Sequence, residues 1–314
     1  IPLKKLGVTF GLMPYSSVGY KTNSNLTELD GSERFKTKTG SGNVNKFFTG
    51  IAYSVNKNLS FGIDFGYHFG TTENDFTESL YSPIVLQYST KERNTSKTNG
   101  YSINTGIQYS KKISSKLNLL TSFTFSPETK FKNTNDRVIA TVTYSNSGSE
   151  ASFDVSDVVT TKINMINPSK FSFGAGIGEA KKWLIGTDIT FINNKKLINR
   201  FDMGSAVSFE NSTRIAVGGY YVPKYDSFSN YLNRIVYRAG FRYENTGLVI
   251  NNTSINDYGM NFGLGLPVGL SRINLGLEFG KKGTTKNNLI EENYFNLSVG
   301  LSLNDIWFKK RKID

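Results

Sequence analysis

The sequence predicts an all-β chain folded as a transmembrane, antiparallel, up-and-down β-barrel, with about 12 strands visible. Three observations carry this. Apolar and small or polar residues alternate with a period of two from one end of the chain to the other. The alternating segments run about 9–12 residues, the length a tilted strand needs to cross a bilayer. The connections are short at one end of the strands and long and polar at the other, the pattern of outer-membrane barrels.

The alternation begins at Leu6–Met13 and returns at Val44–Val55. In Ser60–Gly70, Phe61, Ile63, Phe65, Tyr67 and Phe69 share one face, and Ser60, Gly62, Asp64, Gly66, His68 and Gly70 the other. Successive side chains of a strand point to opposite faces, so the segment has one greasy side and one small, polar side. Gly100–Ser110 repeats the split, with Tyr101, Ile103, Ile107 and Tyr109 against Ser102, Asn104, Gly106 and Gln108. Leu117–Ser126, Phe171–Gly178, Trp183–Ile192, Ser212–Val222, Arg234–Glu244 and Tyr258–Leu266 follow the same rule. Arg272–Gly280 sets Ile273, Leu275, Leu277 and Phe279 against Asn274, Gly276, Glu278 and Gly280. Asn296–Asn304 closes the series with Leu297, Val299, Leu301 and Leu303 on its apolar face.

Short turns are predicted at Asn56–Asn58, Ser114–Lys116, Ala180–Lys182 and Pro267–Ser271. Long polar loops are predicted at Asn23–Gly42, Thr71–Thr98, Glu128–Pro168 and Asn193–Asn211, and alternation in Val138–Tyr144 predicts strands projecting beyond the membrane. Residues 1–304 thus form the barrel. Residues 305–314 form a short basic periplasmic tail whose Lys309-Lys310-Arg311-Lys312 is placed to meet anionic lipid head groups.

Composition narrows function further. The 314 residues carry 37 basic and 25 acidic side chains, net +12, with 38% hydrophobic residues and a mean hydropathy of −0.33. No stretch has the roughly 18–20 apolar residues of a spanning helix. The 23 Phe and 17 Tyr are too many for a disordered basic tail. With no Cys and one His, disulfides, thiolate metal sites, cysteine nucleophiles and multi-histidine sites are excluded. A soluble β-sandwich would dress its polar face in Lys and Glu; here that face is Gly, Ser, Asn and Thr, and the apolar face is rich in aromatics that suit lipid. The basic balance has no aromatic-studded basic groove beside it, so nucleic acid is not an expected partner. Gly174-Ala175-Gly176-Ile177-Gly178 lies on an alternating strand with no following helix, so it is no nucleotide loop, and no cofactor is expected.

Parity places the candidate lumen residues. His68 stands about 13 Å along its strand from Asp64, too far for a direct acid–base pair, and faces away from lipid. It is read as a hydrogen-bonded lumen histidine, and no enzyme is expected. Arg234, Arg238 and Arg242 recur every four residues on the polar face, and pairing Val222 with Leu232 brings Arg214 near Arg238 and Arg242. Glu244, Asp188 and Glu278 are candidate counter-charges, since unpaired charge in a narrow interior is costly. The arginines serve either as a salt-bridged brace or as a cationic ladder for an anionic head group. The many glycines of that face either leave room for a plug, water or ligand, or ease curvature.

Four runs carry a family resemblance: GLMPYSSVGY at residues 11–20, RIAVGGYYVPKYDSFSNYLNRIVYRAGFRYE at residues 214–244, NDYGMNFGLGLP at residues 256–267, and the C-terminal stretch ending LSLNDIWFKKRKID. Together they resemble Bacteroidetes outer-membrane proteins grouped with FadL-type transporters of long-chain fatty acids and other hydrophobic compounds. The resemblance implies about 14 strands in the complete barrel, with a plug and two strands outside the residues given. It also implies a bacterial outer-membrane location, contact with membrane lipid, and passive uptake of a hydrophobic small molecule. The alternative is a non-transporting barrel that joins other outer-membrane proteins in a secretion or assembly machine. Uptake calls for a continuous path or a wall opening; the alternative calls for a sealed lumen and a contact surface.

Overall fold

The computed structural model describes residues 5–27, 32–81, 88–145, 149–197, 206–269 and 271–302. In chain order the strands are β1 (Leu6–Ser17), β2 (Tyr20–Thr27), β3 (Glu33–Ser54), β4 (Leu59–Tyr81), β5 (Ser89–Lys112), β6 (Leu117–Ser126), β7 (Thr129–Tyr144), β8 (Glu150–Phe153) and β9 (Val159–Asn167). They continue with β10 (Lys170–Glu179), β11 (Trp183–Ile192), β12 (Val207–Phe209), β13 (Ser212–Tyr221), β14 (Val236–Ile250), β15 (Thr253–Val268), β16 (Ser271–Gly283) and β17 (Glu291–Ser302). All 17 belong to one sheet whose pairings are antiparallel. Short 3₁₀ turns occur at Asn194–Lys196, Tyr231–Arg234 and Lys286–Asn288.

Twelve of these strands make the barrel wall, in the order β1-β3-β4-β5-β6-β10-β11-β13-β14-β15-β16-β17. The rest prolong them. β1 and β2 lie end to end along β3. β6 and β7 lie end to end along β5, broken at Pro127, and β9 and β10 do the same, broken at Pro168. Proline has no N–H to give a ladder, so the two breaks fall where two strands interrupt their pairing together. Between Gly100↔Phe131 and Thr105↔Phe125 the β6–β7 side has one residue more than β5, a bulge.

β1 and β17 are the edges of this wall. Among the described residues β1 pairs in the wall only with β3, and β17 only with β16. They run in opposite directions, so up-and-down closure takes direct pairing or an even number of intervening strands.

Register fixes the faces. Phe61, Ile63 and Phe65 of β4 share one face with Phe123 of β6, Phe173 of β10, Phe241 of β14, Phe262 of β15 and Phe295 of β17, and all of these are solvent-exposed. The extremes are on the edge strands, with Phe10 77% and Val299 70% exposed. The opposite face is concave: one cavity is lined jointly by Gln108 of β5, Gly186 of β11, Arg242 of β14 and Asn261 of β15. Bulky apolar side chains thus cover the outside, and glycine and small polar residues the inside.

Three of the four long polar stretches are largely strand where they are described. Residues 33–43, 71–81, 89–99 and 129–144 are strand, and they join the 22-residue β3, 23-residue β4 and 24-residue β5 into a wall standing above the apolar belt. On β4 and β5 the outer apolar run stops at Phe69 and Tyr101; beyond them the outer face carries Glu73, Asp75, Arg93 and Lys97 and the inner face Asn74, Phe76, Glu92 and Ser96, while β7 adds Val138, Ala140 and Val142 to the outer face. The predicted Glu128–Pro168 loop is largely β7, β8 and β9. Cross-strand ion pairs brace this region beside the buried Ala140 and Val142 of β7, including Arg93–Asp75, Lys91–Asp75, Lys91–Glu150, Lys97–Asp136 and Arg137–Glu92. Lys309–Lys312 and the rest of the predicted basic tail lie outside the described residues.

Candidate functional site: the concave face

The concave face divides into a packed region and a hollow one. On the side of the tall wall, β1, β4, β7 and β9 converge. Tyr15 of β1 stacks edge-on against His68 of β4 with ring centres 4.3 Å apart, and against Phe131 of β7 at 6.1 Å. Its hydroxyl donates to Asn167 Oδ1 of β9 at 3.0 Å. A flat sheet would hold β1 and β9 about 24 Å apart at the usual strand spacing, so the sheet curls hard here. His68 is 1% exposed, and Ser96, Ser102, Phe131 and Asn133 are buried around it. Gly100 is required: a Cβ there would stand 2.3 Å from the Phe131 ring. Gly66 is pressed in the same way, with Lys46 Cε at 2.4 Å and Ser102 Oγ at 2.7 Å from the site of its missing Cβ.

The hollow region lies below and beside it. A cavity of about 650 Å³ is floored by Gly174, Gly176, Gly186, Gly218 and Gly240 and edged by Asp188, Arg214 and Arg242. It shares Gln108 and Ser122 with a cavity of about 510 Å³ reaching β1, and Gly240 and Asn261 with one of about 530 Å³ reaching β17. A Cβ at Gly176, Gly186, Gly218 or Gly240 would stand 3.0–3.3 Å from a carbonyl oxygen of the neighbouring strand, so these glycines allow close backbone approach and leave the cavity floor without side chains.

Asp64 accepts from Lys46 Nζ at 3.1 Å and from Asn104 Nδ2 at 2.8 Å. His68 shares a 2.8 Å hydrogen bond between Nε2 and Ser102 Oγ, while its buried Nδ1 has no hydrogen-bond partner among the described residues. Asp188 accepts from Thr190 Oγ1 at 3.1 Å. Arg242 is the hub: it pairs with Glu278 at 3.1 Å, Asp257 at 3.2 Å and Glu244 at 3.3 Å. Tyr294 accepts from Arg242 at 2.9 Å and donates to Asp257 at 2.8 Å. Arg238 donates to Asn274 Oδ1 at 3.1 Å, and Arg214 has no ion pair among the described residues. With Asp188, four carboxylates stand among Arg214, Arg238 and Arg242, and among the described residues Arg242 alone of the three arginines is ion-paired.

Two sequence-based placements are corrected. Arg234 is not on the strand with Arg238 and Arg242; it sits in the 3₁₀ turn Tyr231–Arg234, ahead of β14. Arg214 faces Glu244, and Arg238 faces Tyr220, so the hairpin register differs by four residues from pairing Val222 with Leu232. The cause is an ordered connection over residues 222–235 in place of a tight turn. Sequence reasoning missed Tyr15, Lys46, Ser102, Phe131, Asp257 and Tyr294. Parity would have found Asp257, which shares the glycine face of β15; Phe131 and Tyr15 are aromatics on a polar face and meet only through the curl.

Comparison with solved structures finds the TodX deltaS2S3 mutant monoaromatic hydrocarbon channel, at 13% identity and a TM-score of 0.51, over 96% of this chain and 89% of that one. A FadL homologue of Pseudomonas aeruginosa matches at 11% identity and a TM-score of 0.50, over 88% of this chain and 69% of that one. At such identities the likeness is one of fold: a FadL-like β-barrel. No curated protein matches by sequence. A family model matches all of residues 1–314, and the chain belongs to the BamG family.

Proposed function

We propose that this chain is a non-transporting barrel subunit of a multiprotein complex in the bacterial outer membrane, of the class that secretes or assembles outer-membrane proteins. It carries out no catalysis, and its convex belt contacts membrane lipid. The observation that carries the reading is the six-stranded wall of β2, β3, β4, β5, β7 and β9 above the belt. It is rich in polar side chains on both faces and braced by ion pairs. A wall of that size adds nothing to a pore and offers a broad surface to a neighbour. The packing around His68 and the engagement of Arg242 by three carboxylates support it, since both side chains are occupied within the chain. BamG membership accords with it.

Passive uptake of hydrophobic small molecules is the second reading, favoured by the connected cavities of the glycine-lined face. The two separate in one preparation. Purified from outer membranes in mild detergent, the chain is expected to carry a stoichiometric protein partner. Alone in lipid vesicles it is expected to leave the entry rate of a monoaromatic hydrocarbon unchanged. A chain that purifies alone and speeds entry would overturn the proposal.

A further inference from the structure

Four of the connections at the short-turn end are tight. β3–β4, β5–β6, β10–β11 and β15–β16 turn within a few residues, whereas β13 and β14 are joined by residues 222–235. This connection is ordered. Lys224 N–H donates to Asn233 O at 2.8 Å, closing its neck, and Ser227 N–H donates to Lys224 O at 3.3 Å. Asn230 caps the following 3₁₀ turn by accepting from Leu232 N–H at 2.9 Å. It is tied to both neighbouring turns: Tyr231 O–H donates to Pro267 O at 3.1 Å, and Lys181 Nζ sits 4.8 Å from the centre of the Tyr225 ring. Val222, Ser227 and Ile235 are buried at its base. On this fixed platform Phe228 is 102% exposed, with Leu232 and Tyr225 also exposed beside it.

We propose that residues 223–234 are a docking hook that places Phe228 in an apolar pocket of a protein partner at the short-turn face of the barrel. This rests on the subunit reading above and names the surface that would serve it. A fully exposed aromatic on a braced loop loses little conformational freedom on binding, which is how a single anchor comes to dominate an interface. The surroundings select the partner's chemistry. Lys181, Lys224 and Arg234 stand around the hook against Asp226, while Lys182 is engaged by Glu179 at 3.3 Å. A pocket rimmed with Asp or Glu complements that collar. A lipid surface fits less well: Phe228 is flanked by Ser227, Ser229 and Asp226 rather than by the run of apolar residues that interfacial anchors present.

The test uses the full chain in its native membrane, with a photo-crosslinking benzophenone side chain in place of Phe228. One discrete adduct is expected, mapped by mass spectrometry to an apolar pocket of a different protein with acidic residues at its rim. Phe228→Ala is expected to cut recovery of that protein about tenfold, and Lys224→Glu to weaken it most at low salt, the deficit shrinking as salt is raised, while heat-modifiable gel migration shows the barrel intact. Adducts only to lipid, only to a second copy of this chain, or none at all would overturn the hook. If a stoichiometric partner still co-purifies with Phe228→Ala at the wild-type level, the hook fails and the subunit reading stands. If the wild type has no partner, both fail.

Discussion

Arg242 holds Glu244, Asp257 and Glu278 together, so its removal would leave three carboxylates facing one another on a partly buried surface. Breaking such a set from one side costs more than the net worth of the pairs. Arg242→Met is therefore expected to lower barrel stability by roughly 3 kcal/mol in urea unfolding from bilayers, and Asp257→Asn in the same chain to restore part of it. Arg238→Met gives up one hydrogen bond to Asn274 and should cost about 1 kcal/mol. Equal losses for the two variants would contradict the brace. The glycines offer a second comparison. Gly100→Ala drives a methyl into the Phe131 ring and is expected to destabilise by about 1–3 kcal/mol. Gly106→Ala, whose nearest neighbour is 3.5 Å away, is expected to be tolerated. Folding yields of the two variants check this directly.

At the scale of elements, the tall wall is a sheet held by charge. Burial alone would raise the Asp75 carboxyl, but hydrogen bonds from Arg93 and Lys91 carry it below the usual range; Arg137 does the same for Glu92. A carboxyl depressed on folding stabilises at pH above its ordinary value, near 4, and loses that contribution as pH falls through the depressed value. Proteolysis within β4 and β5 above the belt is thus expected to stay slow at pH 7 and to rise only below about pH 4. A rate independent of pH would mean that the ion pairs do not hold the wall. This element is also where the sequence was least legible. In the belt, period two is imposed by an oily side and a small side, and Leu117–Ser126 and Trp183–Ile192 coincide with β6 and β11. In Thr71–Ser79 and Ser89–Thr98 polar side chains dominate both faces, so the period of two is faint. Strand formation there is decided by partners such as Asp75 and Arg93, 18 residues apart, or Glu92 and Arg137, 45 apart. The register of Arg214 was misread for a related reason: an ordered 3₁₀-containing connection resembles a strand start when only the recurrence of Arg234, Arg238 and Arg242 is visible.

At the scale of the molecule, the same alternation does two jobs. It puts Phe and Leu on the convex face and glycine on the concave one, and closing a sheet is the way strands satisfy backbone groups without water. The belt in β4 spans Phe61 to Phe69, about 27 Å along the strand and about 21 Å upright at the usual tilt, near the apolar band of an outer-membrane barrel. The hidden part of the candidate site belongs to this scale: Tyr15, His68, Phe131 and Asn167 meet because the sheet curls, and curl is not written in any one strand. The most direct measurement is depth-resolved quenching in vesicles with bromine on the acyl chains. With Trp183 and Trp307 replaced by Phe, single tryptophans are placed at Phe123, Phe241 and Phe295 on the belt and at Thr77 and Thr95 on the outer face of the wall. Strong quenching at the three belt positions and none at the two wall positions is the expected result. Unquenched belt positions, or quenched wall positions, would contradict a barrel whose apolar face meets lipid and whose wall stands in water.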